Sequence, residues 1–101
     1  MKPVVFSPEA DDELADAVRH IEAQRRGFGR RLESAVATGV TRIGRMPQAY
    51  AQIGGGYRRY LIPKYRYRII YYEYPTYVWI AAFAHTSRAP NYWVGRQRPQ
   101  P

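Results

Sequence analysis

The spacing of hydrophobic residues changes once along the chain, and this change restricts the possible folds more than any other feature. Up to about residue 46, apolar residues recur mostly every three or four positions, as in an amphipathic helix. From Tyr57 to His85, tyrosine, arginine and β-branched residues are frequent, and these residue types favour strands. The sequence therefore predicts an α+β fold, in which a helical part is followed by strands.

Two helices are predicted in the first half. Ser7 and Pro8 mark the first start, because a serine side chain can cap free helix N–H groups and proline suits the first helical position. Three acids at residues 11–13 are interpreted as compensation of the helix dipole. Apolar stripes cover residues 10–21 and 28–43, separated by a glycine-containing break, so an antiparallel helical hairpin is expected.

Four strands are predicted around and after these helices. Proline-containing pairs between the last three strands are short enough for tight turns, which indicates an antiparallel meander. The glycine run at residues 54–56 is interpreted as a flexible connection. The expected order is β-α-α-β-β-β, with the helical hairpin packed on one face of a small antiparallel sheet. The predicted strands are residues 3–6, 57–62, 65–74 and 77–85.

The last predicted strand, residues 77–85, is mostly apolar on both faces. A strand buried on both faces lies inside a sheet, so this strand is predicted to be central. Strict alternation of side chains places Trp79, Phe83 and His85 on the same face.

Positive charge is concentrated in the last two-thirds of the chain. The whole sequence has 16 lysines and arginines against 8 acids, a net charge of +8. Residues 1–33 contain seven acids and six bases, whereas residues 34–101 contain one acid, Glu73, and ten bases. This asymmetry indicates a polyanion or an acidic protein as the partner.

Several protein classes are excluded by what the sequence lacks. With no cysteine and two histidines, it offers no disulfide or thiolate site and argues against tetrahedral zinc, so no metal or other cofactor is expected. No apolar run is long enough for a membrane span, which predicts a cytoplasmic protein without a membrane partner. One domain is expected at residues 1–95, followed by a disordered basic, proline-containing tail at residues 96–101.

Seven short motifs occur in an informative order. They are FSPEA (6–10), DEL (12–14), GFGRRL (27–32), IGRMPQAY (43–50), YRR (57–59), YRYRIIY (65–71) and AHTSRAPNYW (84–93). Together they resemble the RelE/ParE superfamily of bacterial type II toxin–antitoxin toxins. The helical hairpin followed by Met46-Pro47, and the ending from His85 to Trp93, are more similar to its ParE-like members, the plasmid stabilisation proteins.

The resemblance implies a toxin that a cognate antitoxin neutralises through an acidic or amphipathic C-terminal segment. ParE-like members inhibit DNA gyrase, whereas RelE-like members cut messenger RNA on the ribosome. Because no clear acid–base pair is present, the preferred hypothesis is a non-enzymatic gyrase inhibitor. The alternative is a ribosome-dependent mRNA endoribonuclease. A third hypothesis, from charge alone, is a nucleic-acid-binding module without toxicity.

Metal-independent RNA cleavage would need a base, an acid and cations near the reacting phosphate. His85 is the natural candidate for the base, although a histidine hydrogen-bonded at a strand end has a purely structural explanation. The candidate catalytic residues of the nuclease alternative are Arg68, His85, Arg88 and Tyr92.

Arginine alternates with tyrosine near the start of the strand region. This pattern suits phosphate contact with base stacking, bidentate contact with an acidic protein, or simply a solvated basic sheet face. The predicted target-binding residues are Arg58, Arg59, Lys64, Arg66, Arg68, Arg88, Tyr92 and Trp93. The predicted antitoxin-binding residues are Leu14, Val18, Phe28, Arg59 and Arg68.

Overall fold

The computed structural model describes residues 1–97, which form two helices packed against one five-stranded sheet. The elements are β1 (Val4–Phe6), α1 (Pro8–Gln24), α2 (Phe28–Arg45), a 3-10 turn (Pro47–Ala49), β2 (Gln52–Gly54), β3 (Tyr57–Leu61), β4 (Tyr67–Glu73) and β5 (Val78–His85). Across the sheet the strands lie in the order β1-β5-β4-β3-β2. The predicted α+β class, with a strand, two helices and then further strands, is confirmed.

The helical hairpin forms where the sequence predicted it. The Ser7 hydroxyl accepts a hydrogen bond from the Ala10 backbone N–H at 3.0 Å, and Pro8 is the first helical residue. Between the helices Gly27 has a φ of +88°, a left-handed conformation that glycine adopts at little cost. The apolar stripes of both helices pack on the sheet, and Leu32 of α2 is fully buried there.

The sheet differs from the prediction in two respects. An additional strand, β2, pairs with β3, and the glycine run at residues 54–56 forms the turn between them, with positive φ at all three glycines. In addition, β1 runs parallel to β5, with Val4 paired to Val78, so the sheet is mostly rather than wholly antiparallel. No short turn joins β1 to β5, and therefore no turn signal could indicate their relative direction.

A β-bulge in β5 makes the predicted strict alternation wrong. Neighbouring residues of β4 pair with Ile80 and Ala82, so Ala81 between them has no partner of its own. One extra residue moves all later side chains to the opposite face. Phe83 therefore packs on the helix side of the sheet, whereas Trp79 packs on the other side.

Hydrophobic residues are buried on both faces of the sheet. The helix-side core lies between the hairpin and the sheet and includes Leu32 and Ile80. The outer core lies on the opposite face and includes Trp79 and Trp93. Residues 78–84 of β5 are all buried, which confirms the predicted central position of this strand.

The segment that follows β5 packs back onto the sheet. Trp93 is 5% exposed, and its ring centroid lies 4.5 Å from that of Tyr57. Arg96 donates a hydrogen bond to the Ala81 carbonyl oxygen at 2.8 Å. Residues 98–101 lie outside the described residues, so the domain boundary after residue 95 and the disordered tail remain predictions.

Gly39 of α2 allows close contact between this helix and β3. A Cβ atom at this position would lie 2.7 Å from the ring of Tyr60, which is itself buried. We expect Gly39→Ala to lower the free energy of unfolding by about 1–2 kcal/mol, because overpacking outweighs the better helix propensity of alanine. Urea denaturation of the two proteins measures this difference.

Thr38→Ala is the matched control, because Thr38 is exposed on the same helix. The helix propensity of alanine should leave that variant as stable as the parent or slightly more stable. If Gly39→Ala were as stable as Thr38→Ala, the Tyr60 ring would have to move aside without cost.

Candidate functional site

A groove between α1 and one end of the sheet collects several of the predicted polar residues. Two cavities of about 230 and 310 Å³ form it, and both are lined by His20, Tyr67 and His85. We call it the α1 groove. Its lining residues are Glu13, Asp16, Ala17, His20, Ile21, Gln24, Lys64, Tyr65, Arg66, Tyr67, Phe83, His85 and Arg88.

Packed aromatic rings form the centre of the α1 groove. The rings of Tyr67 and Phe83 are stacked, with centroids 4.9 Å apart and planes at 10°. His85 packs edge-on against Tyr67, with centroids 5.2 Å apart. The bulge at Ala81 makes this possible, because it brings Phe83 to the side of the sheet that faces α1. The groove thus combines an aromatic centre with charged residues around it.

His85 is oriented by the turn that follows β5. Its Nδ1 atom accepts a hydrogen bond from the Ser87 backbone N–H at 3.1 Å and lies 2.7 Å from the Ser87 hydroxyl oxygen. With Nδ1 engaged in this way, Nε2 is the ring nitrogen left for contact with a bound molecule.

The Glu13 carboxylate ties α1 to the C-terminal segment. It accepts hydrogen bonds from the Tyr92 hydroxyl at 2.6 Å, from both terminal nitrogens of Arg96 at 2.8 and 3.0 Å, and from the Phe83 backbone N–H at 3.1 Å. Burial alone would raise the pKa of Glu13, but these hydrogen bonds and the charge of Arg96 hold the pKa below its usual value. The carboxylate is therefore ionised at neutral pH.

The short length of β1 explains why Glu13 occupies this position. β1 ends one residue before Ser7, so the rest of β5 has no neighbouring strand on that side. The Ser7 hydroxyl donates to the Ala81 carbonyl oxygen at 3.1 Å, and Glu13 accepts from the Phe83 N–H. These side chains satisfy backbone groups that a longer β1 would have bonded. Helix-dipole compensation, the role predicted for Glu13, does not account for these contacts.

Tyr92 is held at the edge of the groove as a neutral phenol. Burial, followed by its hydrogen bond to Glu13, raises the pKa of Tyr92 to about 12. The Arg88 guanidinium lies over the Tyr92 ring, 3.9 Å from the ring centroid. The Tyr92 ring thus holds the Arg88 cation in place at the groove, an arrangement suited to binding anions.

The four residues of the nuclease alternative are divided between two faces of the molecule. His85 and Arg88 line the α1 groove, and Tyr92 packs against Arg88. Arg68 lies on the outer face of the sheet, because the next residue, Ile69, belongs to the helix-side core and side chains alternate along a strand. Its Nε atom is buried with no hydrogen-bond partner within residues 1–97.

The predicted target-binding residues also occupy different places. Lys64 and Arg66 line the same groove as Arg88. Arg58 donates a hydrogen bond to the Tyr50 carbonyl oxygen at 2.7 Å, which is an internal contact. Trp93 is buried in the outer core, and Arg59 lies on the outer face, because Tyr60 belongs to the helix-side core.

The predicted antitoxin-binding residues lie on two sides of the sheet. Leu14 and Val18 of α1 are partly buried against the helix-side core. Phe28 lies at the start of α2, with the guanidinium groups of two arginines over its ring. Arg59 and Arg68 are on the opposite, outer face.

No group of three or more histidine, aspartate or glutamate side chains within residues 1–97 is arranged to hold a metal ion. Neither helix in this range is long and apolar enough to cross a membrane.

Comparison with known proteins adds two findings. A family model described as ParE toxin of type II toxin–antitoxin system, parDE, matches residues 4–90. A solved structure titled "Chromosomal ParDE TA system from P. aeruginosa" is similar with a TM-score of 0.59 and 14% identity, covering 84% of this chain and 96% of that one. At this identity the structural similarity supports the fold alone. No curated protein matches the sequence.

Proposed function

Because the match over residues 4–90 shows that this chain belongs to the ParE toxin family of type II toxin–antitoxin systems, we propose that it inhibits DNA gyrase by binding. In this proposal a cognate antitoxin neutralises it, as expected for one half of such a system. Both interactions would occur in the cytoplasm, and neither needs a cofactor. Inhibition would follow from occupation of a gyrase surface, without catalysis by the toxin.

The separation of the nuclease candidates is the observation that carries this proposal. Arg68 lies on the outer face of the sheet, away from His85 and Arg88 in the α1 groove. The Tyr92 hydroxyl donates a hydrogen bond to Glu13, and the pKa of Tyr92 is raised to about 12. Effective proton transfer needs a pKa near the working pH, so this tyrosine is a poor general acid or base. The alternative, ribosome-dependent mRNA cleavage, would have to rely on His85 and Arg88.

The α1 groove has the features expected of a protein-binding site. Lys64, Arg66 and Arg88 line it, and arginine can hold a carboxylate through two parallel hydrogen bonds. The stacked rings of Tyr67 and Phe83 offer rigid aromatic surface between these charges. We propose that acidic residues of gyrase contact the basic groups while apolar groups pack on the rings.

The antitoxin is proposed to bind both sides of the sheet. Val18 lies on the helix side, whereas Arg59 and Arg68 lie on the outer face. A segment that contacts both sets has to pass around an edge of the sheet, and an acidic segment would be attracted by the net charge of +8. Such a segment would shield the toxin from its target.

The proposal is tested with purified gyrase in a DNA supercoiling assay. The unaltered protein should inhibit supercoiling, and the double variant Arg66→Gln/Arg88→Gln should need about tenfold more protein for the same inhibition. A hydrogen bond to a charged group contributes about 1.5–3 kcal/mol, and a loss of about 1.4 kcal/mol weakens binding tenfold. Because the variant loses two such contacts, a tenfold change is a conservative expectation. A translating extract, in which messenger RNA ends are mapped, is assayed in parallel.

Arg42→Gln/Arg45→Gln is the matched control. Both residues are exposed near the end of α2 and lie outside the α1 groove. The control variant has the same net charge as the groove variant, because each loses two arginines. We expect it to inhibit like the unaltered protein. Discrete cuts in translated messages, with supercoiling unaffected, would instead establish the endoribonuclease alternative.

A further inference from the structure

The loop between α1 and α2 carries four arginines within seven residues, in the sequence RRGFGRR at residues 25–31. All four arginines are exposed. No acid interrupts the run, so the segment has a local charge of +4. We call residues 25–31 the hairpin tip, and neither the α1 groove nor the proposed gyrase contact includes it.

The arginines of the hairpin tip are not used for ion pairs within the protein. Among residues 1–97, none of the four side chains forms an ion pair or hydrogen bond with a carboxylate. The Glu22 carboxylate accepts hydrogen bonds from the backbone N–H groups of Gly27 and Gly29 at 3.0–3.1 Å. These backbone hydrogen bonds lower the pKa of Glu22 and keep its carboxylate at the start of α2.

Phe28 orders two of the four guanidinium groups. The Cζ atoms of Arg25 and Arg31 lie 4.2 and 4.4 Å from the centroid of the Phe28 ring. Such cation–π contacts restrict the side chains before any ligand arrives, which reduces the entropy lost on binding. Arg26 and Arg30 line a neighbouring cavity together with Glu22 and Glu33.

Charge is segregated along the helical hairpin. Glu9, Asp11, Asp12 and Asp16 lie in the first half of α1, and Arg19 pairs with Asp16. The four arginines of the hairpin tip follow the last residue of α1 and outnumber the two acids near them, Glu22 and Glu33. Lys64 and Arg66, in the turn between β3 and β4, line a cavity together with Gln24 at that same end of α1. The end of the molecule that includes the hairpin tip is therefore strongly cationic.

The composition of the hairpin tip favours a nucleic acid over an acidic protein. Protein interfaces depend on a few desolvated apolar or aromatic anchors. The large hydrophobic residues that are exposed within residues 1–97 are Met1, Val5, Met46, Leu61 and Val94, none of which belongs to the tip. Phe28, the aromatic residue of the tip, is half-buried with Arg25 and Arg31 over its ring, so it offers little free surface for a protein partner. Phosphate contacts, in contrast, require several cations and no apolar anchor.

We propose that the hairpin tip binds the phosphate backbone of duplex DNA without reading its sequence. Arg26 and Arg30 are the contacts without an aromatic support, and Arg25 and Arg31 are positioned by the Phe28 ring. The proposal does not depend on gyrase inhibition, because it is tested with DNA alone. If both are correct, the toxin would contact the enzyme and its substrate at the same time.

The test measures binding of a short, fluorescently labelled DNA duplex by anisotropy, between about 50 and 200 mM salt. Arg26→Gln/Arg30→Gln removes two exposed cations that form no ion pair or side-chain hydrogen bond within residues 1–97, although the charge of Arg30 helps to lower the pKa of Glu22. We expect this variant to bind more weakly and to reduce the salt slope, the fall of log K with log salt, by about 2. Arg42→Gln/Arg45→Gln, with the same net charge, should keep the slope of the unaltered protein.

Three results would overturn the proposal. Equal loss of affinity in both variants would mean that DNA responds only to the overall charge. No loss in the tip variant would mean that the tip does not contact DNA. A tip variant that keeps its DNA affinity but loses affinity for polyglutamate would identify the tip as a contact for an acidic protein. An unchanged melting temperature is expected for the tip variant, because its substituted side chains are exposed. The control variant also loses the 3.3 Å hydrogen bond from Arg42 to the Tyr60 hydroxyl, so its melting temperature should be equal or slightly lower.

Discussion

Replacing Trp79 by alanine is expected to lower the free energy of unfolding by about 3–5 kcal/mol, which is a large part of the stability of a domain this size. Trp79 is 2% exposed and lies in the outer core, in the same hydrophobic cluster as Trp93. Alanine would remove most of the buried ring surface and leave a cavity between the sheet and the C-terminal segment. Urea denaturation, monitored by circular dichroism, measures the change.

Val5→Ala is the control for this prediction. Val5 is the residue of β1 paired with Trp79 across the parallel ladder, but its side chain is 46% exposed. Loss of an exposed side chain from an edge strand should cost less than about 1 kcal/mol. Comparable losses in the two variants would mean that the outer core contributes little to stability.

Glu13→Gln is expected to lower the free energy of unfolding by about 2–3 kcal/mol at pH 7. Glutamine keeps the shape of the side chain but leaves the Arg96 guanidinium without its anion, and hydrogen bonds to charged groups contribute about 1.5–3 kcal/mol each. Both side chains of this pair are less than one-fifth exposed, so solvent compensates only in part. Urea midpoints at pH 7 measure the loss.

The pH dependence of the same variant has a defined sign. The pKa of Glu13 is lower in the folded protein than in the unfolded chain, so its contribution to stability is fully present above the unfolded-state pKa. That contribution is lost as the pH falls through the folded-state pKa. The difference between Glu13→Gln and the unaltered protein should therefore shrink at acidic pH. Asp12→Asn, which removes an exposed acid from the same helix, should change stability little at either pH.

The parts of the fold that depend on local sequence were predictable. Ser7, Pro8 and the apolar stripes determine where the helices begin and which face they bury, and these predictions are confirmed. The direction of β1 and the bulge at Ala81 depend on pairing between distant segments, for which the sequence contains no local signal. Strand β2 is only three residues long and ends in glycine, so no alternating pattern could indicate it.

The candidate site was predictable to a similar extent. Sequence patterns identified Arg88 and His85, which lie in the same groove, but they could not separate these residues from Arg68 on the other face. The sequence did not indicate that Glu13 links α1 to the C-terminal segment. Its partners, Phe83, Tyr92 and Arg96, lie 70 to 83 residues further along the chain. At the start of a helix, dipole compensation is a sufficient local reason for an acid.

The pairing of β1 with β5 also determines when the fold can form during synthesis of the chain. Val4 finds its partner Val78 only after most of the chain has been made, and β5 supplies buried residues to both cores. Contacts between such distant residues slow folding, because a long loop must close before the contacts stabilise it. An incomplete nascent chain therefore lacks the central strand of the sheet. The complete sheet, and the α1 groove with it, therefore forms only after residues 78–88 have been synthesised.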